Sequence, residues 1–241
     1  MLLASLIVIC SLFLFLPLWR RQIKLQRWRK SLSLNKHYKV YRQLYANVDG
    51  FALSKVERAK QDAPEYVYGE IDFESFIALL SLGKPGPSTV FYDLGSGVGK
   101  AVLACIMVFD VKKSCGIELF SSLHRCAQQQ QQRLTCIRDY ETKANRIEFI
   151  QGNFLETSVA DANLIFINAT AFFGETWLAI SQLVEQIQPG ALVITTSKTL
   201  RSDLFTLETV TQVKMSWGIV KAYIQQRQDQ ASPGQDWQKS R

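Results

Sequence analysis

Histidine is nearly missing from this chain: His37 and His124 are the only two among 241 residues, and the five cysteines, Cys10, Cys105, Cys115, Cys126 and Cys136, include no C-x-x-C pair. Zinc sites gather three or four nitrogen and sulfur donors at close spacing, so the pattern argues against one, and no metal is expected. The unpaired cysteines read as buried or neutral thiols of a reducing compartment, not as a disulfide framework. Acidic residues are absent before Asp49, and no charge of either sign precedes Arg20. Those two gaps divide the chain into parts with different physical characters.

The uncharged opening, Met1 to Trp19, would rise about 28 Å as a helix, enough to cross the hydrocarbon core of a bilayer. Trp19 and Arg20-Arg21 close it as an interfacial aromatic followed by a positive cluster, no Lys or Arg precedes it, and no small-x-small cleavage site follows. A retained anchor is therefore favoured over a cleaved signal peptide. The expectation is a single-pass transmembrane helix over residues 1–19, with everything after Arg20 in the cytoplasm. Residues 20–62 form a basic juxtamembrane segment. Either it lies along a membrane face with its cations near anionic headgroups, or it is a solvated linker helix. Nine Lys and Arg fall between Arg20 and Arg42, more than the whole chain's net +7, so the remainder is slightly acidic. The polar tail, residues 227–241, sets Arg227, Lys239 and Arg241 against Asp229 and Asp236, a weak ligand for DNA, and nucleic acid is not an expected partner.

Between these ends lies enough apolar sequence for one α/β domain, assigned to residues 63–226. Its centre is Val90-Phe91-Tyr92-Asp93-Leu94-Gly95-Ser96-Gly97-Val98-Gly99-Lys100, which reads as a buried strand, a glycine turn and then the apolar helix beginning at Ala101. The dinucleotide fingerprint G-x-G-x-x-G is not met, because the third glycine arrives one residue early and Asp93 closes the strand. A carboxylate repels a pyrophosphate and suits a ligand bearing an ammonium and a sulfonium, as S-adenosyl-L-methionine does. The pattern resembles motif I of the Rossmann-like, class I methyltransferases.

Further strands follow in order. Ser114 to Leu119 places Glu118 at a carboxyl end, where nucleotide-binding folds of this topology receive ribose hydroxyls. Arg146 to Ile150 leads to Asn153 and Phe154, and Ala162 to Ile167 delivers Asn168 and Phe172. Ala191 to Thr196 precedes an antiparallel pair, Val210 to Met215 and Gly218 to Gln225, joined through Ser216-Trp217. The expected fold is a mostly parallel α/β sheet with an antiparallel terminal hairpin.

Several segments together resemble the disruptor-of-telomeric-silencing type of histone-lysine methyltransferase, a class I fold without a SET domain. They are Val67-Tyr68-Gly69-Glu70, the glycine motif, Gly116-Ile117-Glu118, Gly152-Asn153-Phe154-Leu155, Asn168 with Ala171-Phe172, and Thr196-Ser197-Lys198 with Ser216-Trp217. The resemblance implies that Tyr68, Gly69 and Glu70 close over the methionine end of the cofactor. Asp93, Gly95, Gly97 and Gly99 would hold that end, Glu118 the ribose, and Asn153 and Phe154 the adenine. Asn168 would orient the incoming amine, with Phe172 and Tyr223 walling a narrow lysine channel. Lys100 stands where the family usually carries glutamine, Asn153 where it carries aspartate, and Ala169 where a second asparagine is common. The expected activity is methyl transfer to a protein lysine by a membrane-anchored enzyme. The alternatives are a methyltransferase acting on a small or lipid amine and a non-catalytic, membrane-tethered Rossmann-like module.

Overall fold

The computed structural model describes Pro17 and residues 19–229. Contacts divide the chain into two compact units between Gln43 and Leu44. In the first, residues 19–31 form helix α1, which stops at Ser33, a non-glycine residue at φ +50°. Helix α2, Leu34–Leu44, follows, and the Arg42 guanidinium lies 5.9 Å from the centre of the Tyr38 ring, one turn earlier.

The transmembrane span expected over residues 1–19 lies, apart from Pro17 and Trp19, outside the described residues. Among the described residues, no helix is long and apolar enough to cross a membrane. The stretch after Trp19 is helical, but a basic residue recurs on almost every turn, and the cost of placing those charges in hydrocarbon forbids burial there. Nothing among the described residues carries the single-pass expectation, which is corrected to that extent and not taken further.

The second unit begins with helix α3, Gly50–Arg58, capped by Asp49, whose side chain accepts from the Ala52 amide at 3.0 Å. Helix α4, Phe73–Leu82, is capped in the same way by Asp72 and stops at Gly83 ahead of Pro85. Phe76, Ile77, Leu79 and Leu80 of α4 are buried, each burial stabilising by roughly 1.5–3 kcal/mol. Phe76 packs edge-on against Phe91 and Phe166, which fixes α4 on one face of the sheet.

Seven strands form that sheet: β1 Val90–Leu94, β2 Lys113–Glu118, β3 Ile147–Gln151, β4 Leu164–Ile167, β5 Leu192–Thr196, β6 Phe205–Met215 and β7 Gly218–Arg227. Their order is β3-β2-β1-β4-β5-β7-β6. The first five run parallel, and β7 enters antiparallel between β5 and β6, so the expected mostly parallel sheet with a terminal hairpin is what forms. The hairpin is longer than the sequence pattern indicates. A register shift between Leu207 and Thr209 interrupts the alternation, which hides the first residues of β6.

Helix α5, Lys100–Val108, is buried from Ala101 through Met107, so its continuous apolar run reflects burial on every side. Helices α6 (Ser121–Thr135), α7 (Glu141–Ala144) and α8 (Gly174–Leu183) complete the layers. From β1 the chain moves outward through β2 to β3, then returns to place β4 on the other side of β1. The reversal leaves a crevice at the carboxyl ends of β1 and β4.

Candidate functional site

The crevice opens into a cavity of about 580 Å³, within the size range of pockets that hold cofactors and small ligands. Its floor comes from the turn after β1. Gly95 and Gly97 sit at φ +84° and +55°, so the turn adopts left-handed backbone that glycine tolerates without strain. At Gly97 there is no room for a side chain either, since a Cβ would lie 2.7 Å from Tyr68 Cε2.

Asp93, the penultimate residue of β1, has its carboxyl at the floor, 4% exposed, and among the described residues no hydrogen bond or ion pair reaches that carboxyl. Burial, and then the nearby Glu118 carboxyl, push its pKa up to about 8. A buried acid without a donor is costly, and a ligand ammonium is the group that would relieve it. Glu118, at the end of β2, is held differently: one oxygen accepts from the Gly97 amide at 2.8 Å and the other from the Phe120 amide at 2.9 Å. Those amides fix its direction and leave lone pairs for hydroxyl donors, while burial raises its pKa as well.

A loop from Glu65 to Ile71 forms the roof. Tyr68 hydroxyl donates to Glu70 at 2.8 Å, and the other Glu70 oxygen is paired with the Lys100 ammonium, which also lies 5.4 Å from the centre of the Tyr45 ring. The loop is strapped to the β6–β7 hairpin: Ser216 amide donates to Glu70 carbonyl at 2.8 Å, Asp72 amide to Lys214 carbonyl at 2.9 Å, and Ile71 bridges Met215. The Trp217 ring lies directly on Gly69, where a Cβ would meet Trp217 Cζ3 at 1.9 Å.

At the far wall, the Asn168 amide group reaches the Gly69 carbonyl at 3.4 Å, while its oxygen accepts from Thr196 at 2.8 Å and Thr170 at 3.2 Å. The carbonyl partner at Gly69 settles which end of the carboxamide is nitrogen. Phe172 meets Phe154 edge to face at 5.7 Å. Asn153 caps the turn Phe154–Glu156, accepting from the Leu155 amide at 3.0 Å and donating to Glu156 at 3.2 Å.

Of the thirteen site residues that the sequence and its resemblance imply, eleven line this cavity, all but Gly99 and Tyr223: Tyr68, Gly69, Glu70, Asp93, Gly95, Gly97, Glu118, Asn153, Phe154, Asn168 and Phe172. Gly99 does not line it. It caps α5 at φ +80° and leaves space for Phe149, whose Cζ would stand 2.6 Å from an added Cβ, so helix packing accounts for it. Tyr223 is likewise outside the lining, in the middle of β7 opposite Thr195 and Val210. The aromatic that the hairpin contributes to the wall is Trp217. Thr196 and Trp217 entered the sequence resemblance only as parts of its segments, with no role of their own, and Thr170 did not enter it. Among the described residues, no group of His, Cys, Asp and Glu is placed to hold a metal ion.

Comparison with known proteins adds to this geometry. A family model described as "Histone methylation protein DOT1" matches residues 54–229. A Caenorhabditis elegans protein named histone-lysine N-methyltransferase, H3 lysine-79 specific, is 33% identical over 138 residues, 54% of this chain and 15% of that protein. A protein-lysine N-methyltransferase of Saccharolobus islandicus is 24% identical over 118 residues, covering 48% of this chain and 66% of its own length. The chain thus spans a small part of the first relative and about two thirds of the second. Among solved structures, an RNA methyltransferase from Salinibacter ruber in complex with S-adenosyl-L-homocysteine superposes with a TM-score of 0.51 at 19% identity, over 67% of this chain and 95% of that one. That likeness establishes the Rossmann-like class I methyltransferase fold. The family match gives no support to the membrane-anchored placement expected from the first nineteen residues, and that expectation is not carried further.

Proposed function

We propose that this chain, which belongs to the DOT1 histone-methylation family, transfers the methyl group of S-adenosyl-L-methionine to the side-chain nitrogen of a protein lysine. The observation that carries the reading is the buried, donor-free carboxyl of Asp93 set across one cavity from the Asn168 carboxamide. Asp93 is suited to the cofactor ammonium, Glu118 to the ribose hydroxyls, and Phe154 to the adenine face. Tyr68 and Glu70 in the roof enclose the methionine end, with Lys100 neutralising Glu70. When bound, the cofactor supplies a methyl group on a sulfonium, an electrophile that needs no metal and no strong base.

The chain's own residues do the rest. Phe172, Trp217 and Phe166 give an apolar wall that penalises an ammonium and favours the neutral amine as nucleophile. Asn168, its oxygen fixed by two threonine hydroxyls, holds a carboxamide beside the path of that amine. A neutral lysine nitrogen held there would take the methyl group in place of the sulfur, which would keep the bonding pair, and would shed its surplus proton to water. Alignment and exclusion of water supply the rate enhancement. The catalytic portion is taken as residues 63–226, with the basic residues 20–62 preceding it, and the substrate as a lysine-bearing protein, histones first.

The test is transfer of labelled methyl from S-adenosyl-L-methionine to nucleosomes, free histones and fractionated lysate protein, with the product residue identified by mass spectrometry. Label on lysine nitrogen is expected. Asn168→Ala should lower transfer at least about a hundredfold, as misplacing a reacting group does, while calorimetry shows cofactor affinity nearly unchanged. Cofactor binding with no label in any protein fraction, or label confined to small amines, overturns the protein-lysine reading.

A further inference from the structure

The cavity wall is held from behind by three consecutive residues that do not themselves line it. Thr196, Ser197 and Lys198 leave the carboxyl end of β5, and each side chain reaches a different residue of the segment from Asn168 to Phe172. Thr196 hydroxyl donates to the Asn168 carboxamide oxygen at 2.8 Å and accepts from the Ala169 amide at 3.1 Å. Ser197 Oγ lies 2.8 Å from Thr170 Oγ1. Lys198 ammonium donates to the Phe172 carbonyl and sits over the Phe173 ring, 3.8 Å from its centre, with the Trp177 ring at 5.8 Å.

The backbone shows what this arrangement costs. Ser197 has φ +69°, left-handed backbone that a residue with a Cβ adopts only when its surroundings over-determine it. The turn reverses the chain so that successive side chains converge on one neighbouring segment, where an extended strand would send them to opposite faces. Ser197 amide donates to the Lys221 carbonyl and Lys198 amide to the Thr196 carbonyl, each at 2.8 Å, which locks the reversal.

From this convergence we infer that Thr196, Ser197 and Lys198 are positioning residues for the acceptor side of the site: Thr196 aims the Asn168 carboxamide, and Lys198 tethers the Phe172 wall. None of them touches the cofactor side, whose residues come from β1, β2, the turn after β3 and the roof loop. The inference rests on the methyl-transfer reading for its kinetic consequence and on geometry alone for the tether. Lys198 is the informative position, because a charge-assisted hydrogen bond and a ring contact are both lost in Lys198→Met and both retained in character by Lys198→Arg.

The full-length chain and these two variants would be compared by hydrogen–deuterium exchange, by calorimetric titration with S-adenosyl-L-methionine, and by acceptor kinetics. Lys198→Met should raise amide exchange across residues 170–173 by about tenfold and lower kcat/KM for the acceptor by roughly tenfold to a hundredfold, as displaced catalytic groups do. Cofactor affinity should stay within about twofold of wild type, and Lys198→Arg should recover most of both losses. Unchanged exchange and kinetics in Lys198→Met overturn the inference, as does a loss of cofactor affinity as large as the loss of acceptor turnover. Should wild type transfer no methyl to protein, the functional reading fails while the exchange measurement still decides the tether. If Lys198→Met does not fold, Ser197→Ala, which removes the contact to the Thr170 hydroxyl from behind the wall, carries the same expectation.

Discussion

Asp93 works against the stability of the fold that carries it. An acid whose folded pKa is raised from 3.8 to about 8 takes up a proton on folding. The stabilising contribution of its neutral form is therefore complete below the unfolded value and is lost as pH rises through about 8. Glu118 is shifted in the same direction by its burial. A ligand ammonium reverses the sign for Asp93, because the paired carboxylate must give up its proton when the ligand arrives. Calorimetry at pH 7 in two buffers of different ionisation enthalpy should therefore register proton release on binding S-adenosyl-L-methionine, with affinity rising toward pH 8. Asp93→Asn should weaken binding by about a hundredfold, the scale of a lost buried charge pair, yet melt several degrees higher than unliganded wild type at pH 8. A buffer-independent enthalpy would refute the assignment. At this scale much of the site was legible, since Asp93, Glu118 and Asn168 each follow an apolar strand, and parallel sheets gather strand ends. Gly99 and Tyr223 stand outside the lining, and a glycine that admits a ligand looks in sequence like one that admits a phenyl ring. Strand alternation likewise cannot say whether Tyr223, in the middle of β7, reaches the cavity.

Among the elements, the roof depends on pairing that no local pattern announces. The loop ending at Ile71 and the hairpin turn at Ser216 meet through backbone bonds and through the indole of Trp217 lying on Gly69. The strands and helices were readable from periodicity and from their caps, whereas this strap joins residues 146 positions apart. It also gives Gly69 its meaning. A methyl group there would strike the indole, so Gly69→Ala should destabilise the protein by about 1–3 kcal/mol, the usual cost of overpacking. In a Trp217→Ala background the same substitution should be nearly neutral, since the obstructing ring is gone. Urea unfolding of the four proteins checks it: additive effects would show that the two residues do not share the contact.

For the molecule as a whole, the contact boundary before Leu44 makes a prediction about independence. Every residue lining the cavity lies beyond that boundary. A chain beginning at Leu44 should fold cooperatively and bind S-adenosyl-L-methionine within about threefold of the full-length affinity, as expected where sites share no partners. Loss of binding in that fragment, measured by the same titration, would show that the basic helices are required for the site. The composition of the first unit was plain from its unbroken run of cations, and so was the mostly parallel sheet with its terminal hairpin. The boundary itself was not, because α3 carries too weak an apolar pattern to be assigned to either side by sequence.

The strap between Glu70 and Ser216 also sets a timetable. A ribosome making this chain finishes the floor of the crevice about 120 residues before it releases the hairpin that holds the lid. Throughout that interval the nascent protein has β1 and its glycine turn but no anchored roof, so competence to capture cofactor waits for the hairpin. Messages truncated just before Trp217 would thus encode a sheet with a permanently open mouth.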